Sequence, residues 1–380
     1  MKRAAIVSGV RTPVGKAGRA YAGVHPADLL ATVLREAVAR AGVQPTDAGQ
    51  VLVGCTHQAG EQSFNIARNG WLAAGLPVSV PASTVDTLCG SSQQAANLGY
   101  ALVAAGLAEV VVAAGVESLT SVPLFSTWVG RDPYPARQHE LFDMPHQGIA
   151  AERVARKYGV TRADVDRWGF ESQHRAAAAW REGRFGAEIV HVRDVDRVVL
   201  DQDEGIRPDT SLARLAELPP AFEADGITTA GNSSQLSDGA AAMVIASEDA
   251  CTRLGLTPLA WMVDAATVGV DPDLMLEGPI VATEQLLRRN GLTVDEIAHF
   301  ELHEAFAVPV CAWLGVHQSD PARVNPDGGA IAIGHPFGAS GVRQLAHLAH
   351  CLHGKPGSYG LQAMCAGGGI GTGTLLRSAG

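Results

Sequence analysis

Apolar residues in this chain are gathered into short blocks rather than spread evenly. Residues 4–10, 51–55 and 110–114 are runs of small and branched apolar side chains bounded by turn residues, as in strands buried on both faces of a parallel sheet. Residues 29–41 and 65–74 read as helices, and Thr84-Val85-Asp86 as a short strand leading to Cys89. From 91 to 106 the chain carries Ala, Leu and Gly on almost every face. A helix apolar all round lies between layers rather than on a surface. This predicts Cys89 at the N-terminus of a central buried helix, where the helix dipole is expected to stabilise a thiolate and lower the thiol pKa.

The pattern changes between about 117 and 237. Charge rises, Pro and Arg become frequent, and strand alternation fades. Residues 150–158 and 162–181 read as amphipathic surface helices. This stretch is expected to form an inserted loop domain. Residues 240–247 return to a buried apolar strand. The last third then repeats the first in outline: strand 261–270, helix 279–290, strand 297–302, helix 340–353, and closing strands 359–364 and 372–377. The order predicts an α/β fold of two similar βαβ-type halves, with helices between and outside two sheets. The N-terminal half is expected to span 1–249, loop domain included, and the C-terminal half 257–380.

Composition narrows the function. With 380 residues, 47% of them apolar, the chain is too long for one simple core and supports two core halves plus an elaboration. Its 29 basic and 39 acidic residues give a net charge of −10, which argues against a nucleic-acid surface. It does not exclude one anionic cofactor held by a few local arginines. Six cysteines, at 55, 89, 251, 311, 351 and 365, form no C-x-x-C pair. Neither a disulfide framework nor a structural zinc motif is suggested, and a reduced compartment fits. The first strand is too short, and too soon interrupted by Arg11, to be a signal peptide. No apolar run reaches membrane-spanning length, and Ser378-Ala379-Gly380 is not a peroxisomal address. The expectation is a cytoplasmic enzyme with no membrane and no nucleic-acid partner.

Three distant segments carry candidate chemistry: Cys89-Gly90-Ser91-Ser92, Gly334-His335-Pro336 and Cys365-Ala366-Gly367-Gly368-Gly369. Each sets a thiol or imidazole beside glycine, where backbone N–H groups stay uncovered. A lone cysteine is more often inert packing. A thiol nucleophile, an imidazole base and a second thiol together are what acyl transfer with carbon–carbon chemistry on a thioester needs.

Five ordered segments are similar to the signature segments of the thiolase family. They are Thr84-Val85-Asp86 with Cys89 to Ala95; Thr229 to Ala240 (TAGNSSQLSDGA); His303-Glu304-Ala305-Phe306-Ala307; Asn325 to Pro336 (NPDGGAIAIGHP); and Cys365 to Gly369. They span the chain in the family's order. The resemblance implies Cys89 as the residue that takes the acyl group, and His335 as the base for Cys89 and later for the coenzyme A thiol. It implies Cys365 as the acid/base for the α-carbon proton. The backbone N–H groups of Cys89 and Gly367 are implied as one oxyanion hole, and His303 with His335 as a second. His303 departs from the commonest family pattern, in which Asn opens this motif and holds a water that polarises the thioester oxygen. A degradative branch resembles this chain in carrying His, and His donates a similar bond through one ring nitrogen. The departure puts the water network in question, not the reaction class.

The resemblance also implies coenzyme A contacts: Ser234 to the pantetheine arm, His146 near its far end, Arg207 on the nucleotide part, and Arg214 at a family contact position of another residue type. For both arginines the alternative is a solvated surface charge. Coenzyme A is expected as a co-substrate, with no cofactor bound permanently and no metal. The Gly369–Gly373 glycines have the wrong spacing for a dinucleotide loop. His347, His350 and His353 recur at three-residue steps along a helix, which could suggest a metal, but a solvated helix face is the expected reading; His299 and His303 lie too far apart along a strand to share a metal.

The implied reaction is thiolytic cleavage of a 3-oxoacyl-coenzyme A to acetyl-coenzyme A and a shortened acyl-coenzyme A. The alternative is a biosynthetic thiolase forming acetoacetyl-coenzyme A, but that branch usually carries Met-Gly where this chain has Gln147-Gly148. Gln93-Gln94 and Ser233-Ser234-Gln235 also resemble the degradative branch, including enzymes acting on steroid fragments. Decarboxylating condensing enzymes lack a second cysteine like Cys365. A non-catalytic lipid-binding relative would not need the complete Cys89, His335 and Cys365 set. A homodimer is expected through the edge of the N-terminal sheet around 110–114, or a homotetramer through 123–137, where Phe125 and Trp128 would be unusual exposures on a monomer.

Overall fold

The computed structural model describes residues 2–195 and 197–380. Nine strands run side by side in one hydrogen-bonded order: Ile297–Leu302, Tyr359–Ala366, Ile370–Ser378, Ala260–Gly269, Ala4–Arg11, Ser237–Ser247, Val110–Ser118, Gln50–Gly54 and Ala82–Val85. The two sheets expected from sequence are therefore joined. The seam is three residue pairs long, Ala4 to Met262, Ala5 to Trp261 and Ile6 to Ala260. On each side of it the pairing repeats. Gln50–Gly54 runs parallel to Val110–Ser118, which is antiparallel to Ser237–Ser247, which is antiparallel to Ala4–Arg11. Ile297–Leu302 runs parallel to Tyr359–Ala366, followed by two antiparallel pairs ending at Ala260–Gly269. The repeat of order seen in the sequence is thus a repeat of topology.

The helices Ser91–Ala104 and Ser340–Leu352 lie between the halves and pack on strands of both. Alternate residues of Val110–Ser118 show why its sequence is apolar without a break. Val110, Val112, Ala114 and Val116 face Leu29, Leu30, Val33 and Leu34 of the outer helix Pro26–Ala41. Val111 and Ala113 face Ala95, Ala96, Val342 and Leu345 of the central layer. Each such buried branched side chain contributes roughly 1.5–3 kcal/mol. The two central helices approach closely because Gly341 has no side chain: a Cβ there would lie 2.3 Å from the backbone nitrogen of Gln93. On the far side, Gly278–Asn290 covers the C-terminal strands through Ile280 and Leu286, which pack with Leu302, Leu361 and Leu375. The result is an α/β layering of outer helix, strands, central helices, strands and outer helix.

The strand Val110–Ser118 is not an edge. It is paired on both sides, and the edge of the N-terminal half is Ala82–Val85. The expectation that 110–114 forms a subunit edge is thereby corrected; its apolar sequence reflects two covered faces. Between 119 and 236 the chain adds the helices Gln147–Tyr158 and Arg162–Arg181. They are amphipathic, but their inner faces are buried: Ala150, Ala151, Val154 and Trp168 join the C-terminal core. Among the described residues no helix is long and apolar enough to cross a membrane.

Candidate active site

The nucleophile candidate sits on a sharp turn between strand and helix. Leu88, just before Cys89, has a left-handed φ of +51°, a costly conformation for a branched residue that persists only when held from outside. It is held here. Leu88 N–H donates to Asp86 Oδ1 at 2.8 Å, and its carbonyl accepts from Thr56 Oγ1 at 3.1 Å and Ser91 Oγ at 2.5 Å. The turn delivers Cys89 to the floor of the site, 4% exposed.

His335 arrives from the matching position of the other half, in the turn before the second central helix. Gly334 has φ +110°, and a Cβ there would lie 2.5 Å from Ser237 Oγ, so only glycine fits. The backbone N–H of His335 is anchored to Ser237 Oγ and the Gln235 carbonyl, each at 3.1 Å. Its Nδ1 lies 2.6 Å from Ser340 Oγ, and that hydroxyl donates to the Pro336 carbonyl at 3.0 Å. With the hydroxyl hydrogen so engaged, His335 Nδ1 must be the donor. This assigns the tautomer from the network and leaves a lone pair on Nε2. Nε2 is buried and has no partner.

His303 follows the end of strand Ile297–Leu302, its ring centroid 4.2 Å from that of His335. Both of its ring nitrogens are buried and unpartnered. Buried polar atoms left unpaired cost about 1–3 kcal/mol each, so this pair is a place where a polar ligand atom is wanted. Glu304, next in sequence, turns the other way. It accepts from Trp168 Nε1 (3.0 Å), Ser172 Oγ (2.7 Å), Asn325 Nδ2 (2.8 Å) and the Ile331 N–H (3.1 Å). Asn325 also pairs with Leu302 through both its amide groups, at 2.8 and 2.9 Å. The His303 and Asn325 segments are thus pinned to each other and to the loop-region helix Arg162–Arg181.

These pieces converge. One ligand atom from each of Cys89, His303 and His335 lies within 4.8 Å of the others. Cys365, 1% exposed, comes from the end of Tyr359–Ala366. The backbone N–H groups of Gly367 and Cys89 are directed at the Cys89 sulfur. Burial pushes the Cys89 thiol up to about 11, against the opposing effects of Gln147 and those two N–H groups. The expected lowering by the helix terminus is not what the structure gives, because desolvation outweighs the dipole. Burial and the nearby Cys89 push the Cys365 thiol up as well. Burial, then the Arg343 charge, brings His303 down to about 3. His335 is held well below its ordinary value by burial and then by His303 and Arg343. At neutral pH the resting site is therefore uncharged.

Three contributors went unassigned in the sequence. Gln147 Nε2 lies 4.0 Å from Cys89 Sγ, Ser340 orients His335, and buried Arg343 disfavours protonation of both imidazoles. Arg343, a charge inside an apolar helical run, was the one readable signal. Of the coenzyme A candidates, exposed Arg207 and Arg214 line one cavity of about 370 Å³ with Gln173, Gly231, Gln235 and Ile331. Ser234 precedes Gln235 of that cavity, and its N–H donates to the carbonyl of Ala305, two residues after His303, at 3.0 Å. His146 is apart from the arginines, stacked on Phe222 at 5.2 Å. The solvated histidine face is corrected. His347 is buried beside Glu188 and Asp327, His350 is half-buried and 2.8 Å from the Gly9 carbonyl, and only His353 is exposed.

Comparison with known proteins matches residues 4–249 to the family model for the thiolase N-terminal domain and residues 256–378 to that for the thiolase C-terminal domain. The chain is 41% identical over 387 residues to a steroid 3-ketoacyl-CoA thiolase of Mycobacterium tuberculosis, covering 99% of this chain and 94% of that protein. It is 40% identical over 403 residues to a beta-ketoadipyl-CoA thiolase of Escherichia coli, covering 99% and 100%. It is also 40% identical over 388 residues to a 3-ketoacyl-CoA thiolase of Vibrio vulnificus, again covering 99% and 100%.

Proposed function

We infer the reaction from a plain premise: this chain belongs to the thiolase family. It is an acyltransferase that uses coenzyme A as co-substrate in chemistry that needs no metal. Its reaction is thiolytic cleavage of a 3-oxoacyl-coenzyme A. The observation that carries this reading is the buried, uncharged meeting of Cys89, His303 and His335, with the acceptor nitrogen of His335 and both nitrogens of His303 unpartnered.

In the proposed sequence His335 Nε2 takes the Cys89 proton and the sulfur attacks the 3-keto carbon. The C2–C3 bond breaks, its electron pair passes to C2, and Cys365 supplies the proton that completes acetyl-coenzyme A. The proton held by His335 then passes to the Cys365 thiolate, which restores both groups. His335 next takes the proton of free coenzyme A, whose sulfur displaces Cys89 and releases the shortened acyl-coenzyme A, and the departing Cys89 sulfur regains that proton from His335. Because the resting thiol is neutral, its proton must pass to His335 before or as the sulfur attacks. The N–H groups of Cys89 and Gly367 receive the oxyanion formed on the attacked carbon. His303 with His335 faces the thioester oxygen of the leaving enolate.

Relatives named for steroid, beta-ketoadipyl and 3-ketoacyl substrates support the degradative direction over acetoacetyl-coenzyme A formation. Gln147 beside Cys89, where the biosynthetic branch carries Met, agrees. Ser234, Arg207 and Arg214 take the coenzyme A arm and nucleotide, and His146 borders the arm at its far end. The halves 1–249, including the loop domain 117–237, and 257–380 act as one cytoplasmic unit. It assembles as a homodimer or homotetramer, for which the Ala82–Val85 edge and exposed Phe125 and Trp128 are the candidate surfaces.

Intact-mass measurement after mixing with acetoacetyl-coenzyme A tests the reading. The enzyme should gain one acetyl group, and Cys89→Ala should gain none while keeping its fold. An unmodified parent enzyme would favour a binding protein without turnover. An acetylated Cys89→Ala would displace the nucleophile.

A further inference from the structure

A second histidine–cysteine cluster lies away from the reaction centre. His299 on strand Ile297–Leu302, and His347 and Cys351 on helix Ser340–Leu352, bring one ligand atom each within 4.8 Å of the others. His347 and Cys351 are four residues apart and share a helix face. Asp327, from the turn before His335, completes the group. Its Oδ2 is 3.2 Å from His347 Nε2 and 3.9 Å from Cys351 Sγ, and those two are 3.4 Å apart. Ligand atoms held tetrahedrally at about 2.0 Å for N and O and about 2.3 Å for S stand roughly 3.3–3.7 Å from one another. His347, Cys351 and Asp327, at 3.2–3.9 Å from one another, are close to that spacing, and His299 lies within 4.8 Å of His347 and Cys351.

The outer contacts make the stronger argument. His347 Nδ1 lies 2.9 Å from Glu188 Oε2, and His299 Nε2 lies 2.7 Å from Glu301 Oε1. Each carboxylate takes the N–H of its ring and leaves the other nitrogen free to ligate, the carboxylate–histidine arrangement that supports bound metals. Arg184 occupies Asp327 Oδ1 and leaves Oδ2 for the cluster. Arg11 occupies Glu188 Oε1 at 2.5 Å and leaves Oε2 for His347. Two neutral imidazoles, a thiolate and a carboxylate balance a divalent charge, and this donor set suits zinc or cobalt rather than magnesium or calcium. His299, His347 and Asp327 are buried while Cys351 is half-buried, so an ion has one side from which to enter.

We propose that His299, His347, Cys351 and Asp327 form a structural site for one divalent ion of the zinc type. With four protein ligands the site is closed, so it fixes strand, helix and turn behind the reaction centre and takes no part in turnover. The competing arrangement is a proton in place of the ion, with an imidazolium at His347 bridging Glu188 and Asp327.

Cobalt(II) titration of the full-length, chelator-treated enzyme distinguishes them. One equivalent should give the thiolate-to-cobalt charge-transfer absorption and the visible bands of a tetrahedral ion. Cys351→Ser should lose the charge-transfer absorption. Cys89→Ala should keep it, which matters because Cys89, His303 and His335 are the other ligand-rich set among the described residues. Zinc should displace the cobalt and raise the unfolding temperature of the parent, but not of Cys351→Ala. Absence of the bands would overturn the proposal, as would bands that survive Cys351→Ser and vanish in Cys89→Ala. Neither result would touch the thiolase reading, whose test is acyl-enzyme formation.

Discussion

Strand Ile297–Leu302 and helix Ser340–Leu352 each serve two histidine–cysteine clusters: the reaction centre rests uncharged, whereas the second, with no ion bound, favours an imidazolium–thiolate pair. The strand carries His299 into one and delivers His303, just beyond its end, to the other. The helix holds His347 and Cys351 near one end and, at the other, Ser340, which orients His335. At the reaction centre no carboxylate bonds either imidazole, the thiols are pushed up and the imidazoles down. In the second cluster Glu188, Asp327 and Glu301 surround the same residue types. There His347 is held well above its ordinary value, and the Cys351 thiol is brought down to about 6 by the His347 charge and the His299 bond. Burial is common to both. The mutual attraction of His347 and Cys351, with Glu188 adding to it, favours the charged pair there, and the reaction centre has no carboxylate bonded to either imidazole. An acyl-transfer site gains from staying uncharged, since a lone pair on His335 and a proton on Cys89 are what the first step consumes.

The largest expected break in this comparison is at Cys365. Cys365→Ser should lower exchange of the α-proton of acetyl-coenzyme A by about 10²–10⁴, the usual weight of one positioned acid/base. Acyl transfer from an activated donor that needs no carbon–carbon cleavage should survive, because Cys89 and His335 remain. Isotope exchange followed by mass spectrometry separates the two rates, and an equal fall in both would make Cys365 a structural residue.

Glu188→Gln breaks the other cluster. Glu188 is buried and pairs with both Arg11 and His347. Removing one partner of a buried ion pair costs about 3–5 kcal/mol, and Arg11 keeps its pairing with Asp203, so the lower end is expected. The urea midpoint should fall accordingly, while the folded protein still takes an acetyl group on Cys89. Loss of acetylation in folded protein would show that the two clusters are coupled.

His303 sharpens the comparison at its boundary. If one of its unpartnered nitrogens donates to the thioester oxygen, His303→Ala should lose roughly 10²–10³ in turnover. His303→Phe should be equally poor, and His303→Asn should retain most activity because its amide donates in the same place. Equal turnover of the Ala and Asn variants would reduce His303 to packing.

Much of this was legible in the chain. Unbroken apolar runs marked strands with two covered faces, and the repeated order of elements marked two halves. The signature segments led to Cys89, His303, His335 and Cys365, which the structure brings together. What the sequence could not carry is burial. A helix N-terminus argues for a low thiol pKa, but Cys89 is 4% exposed and desolvation wins. Histidines at three-residue steps argue for a solvated face, yet the helix is central and His347 points into carboxylates from distant segments. Ligands drawn from residues 299, 327, 347 and 351 form no motif, so only the fold assembles them. Pairing on both sides of Val110–Ser118 was likewise invisible in a run that reads equally well as edge or interior.

The smallest expected effect is a pH dependence of stability set by the uncharged site. His303 falls from an ordinary value of 6.5 to about 3 in the folded protein, first through burial and then through Arg343. Its folded pKa is depressed, so the unfolded chain takes up a proton that the folded protein refuses as pH drops through 6.5. The stability is therefore fully present above that value and is lost as pH falls toward 3. Each unit of the window is worth about 1.4 kcal/mol, so roughly 2 kcal/mol should be gone by pH 5. His335, depressed by burial, His303 and Arg343, adds in the same direction. His347, with no ion bound, acts in the opposite direction: its raised pKa contributes stability that is complete below the ordinary histidine range and is lost only as pH rises through its own value. Urea midpoints of the parent and His303→Asn at pH 7.5 and pH 5 provide the check. The variant should lose less stability on acidification than the parent. An identical loss in both proteins would mean that His303 titrates near its ordinary value and that the reaction centre is not the uncharged pocket described above.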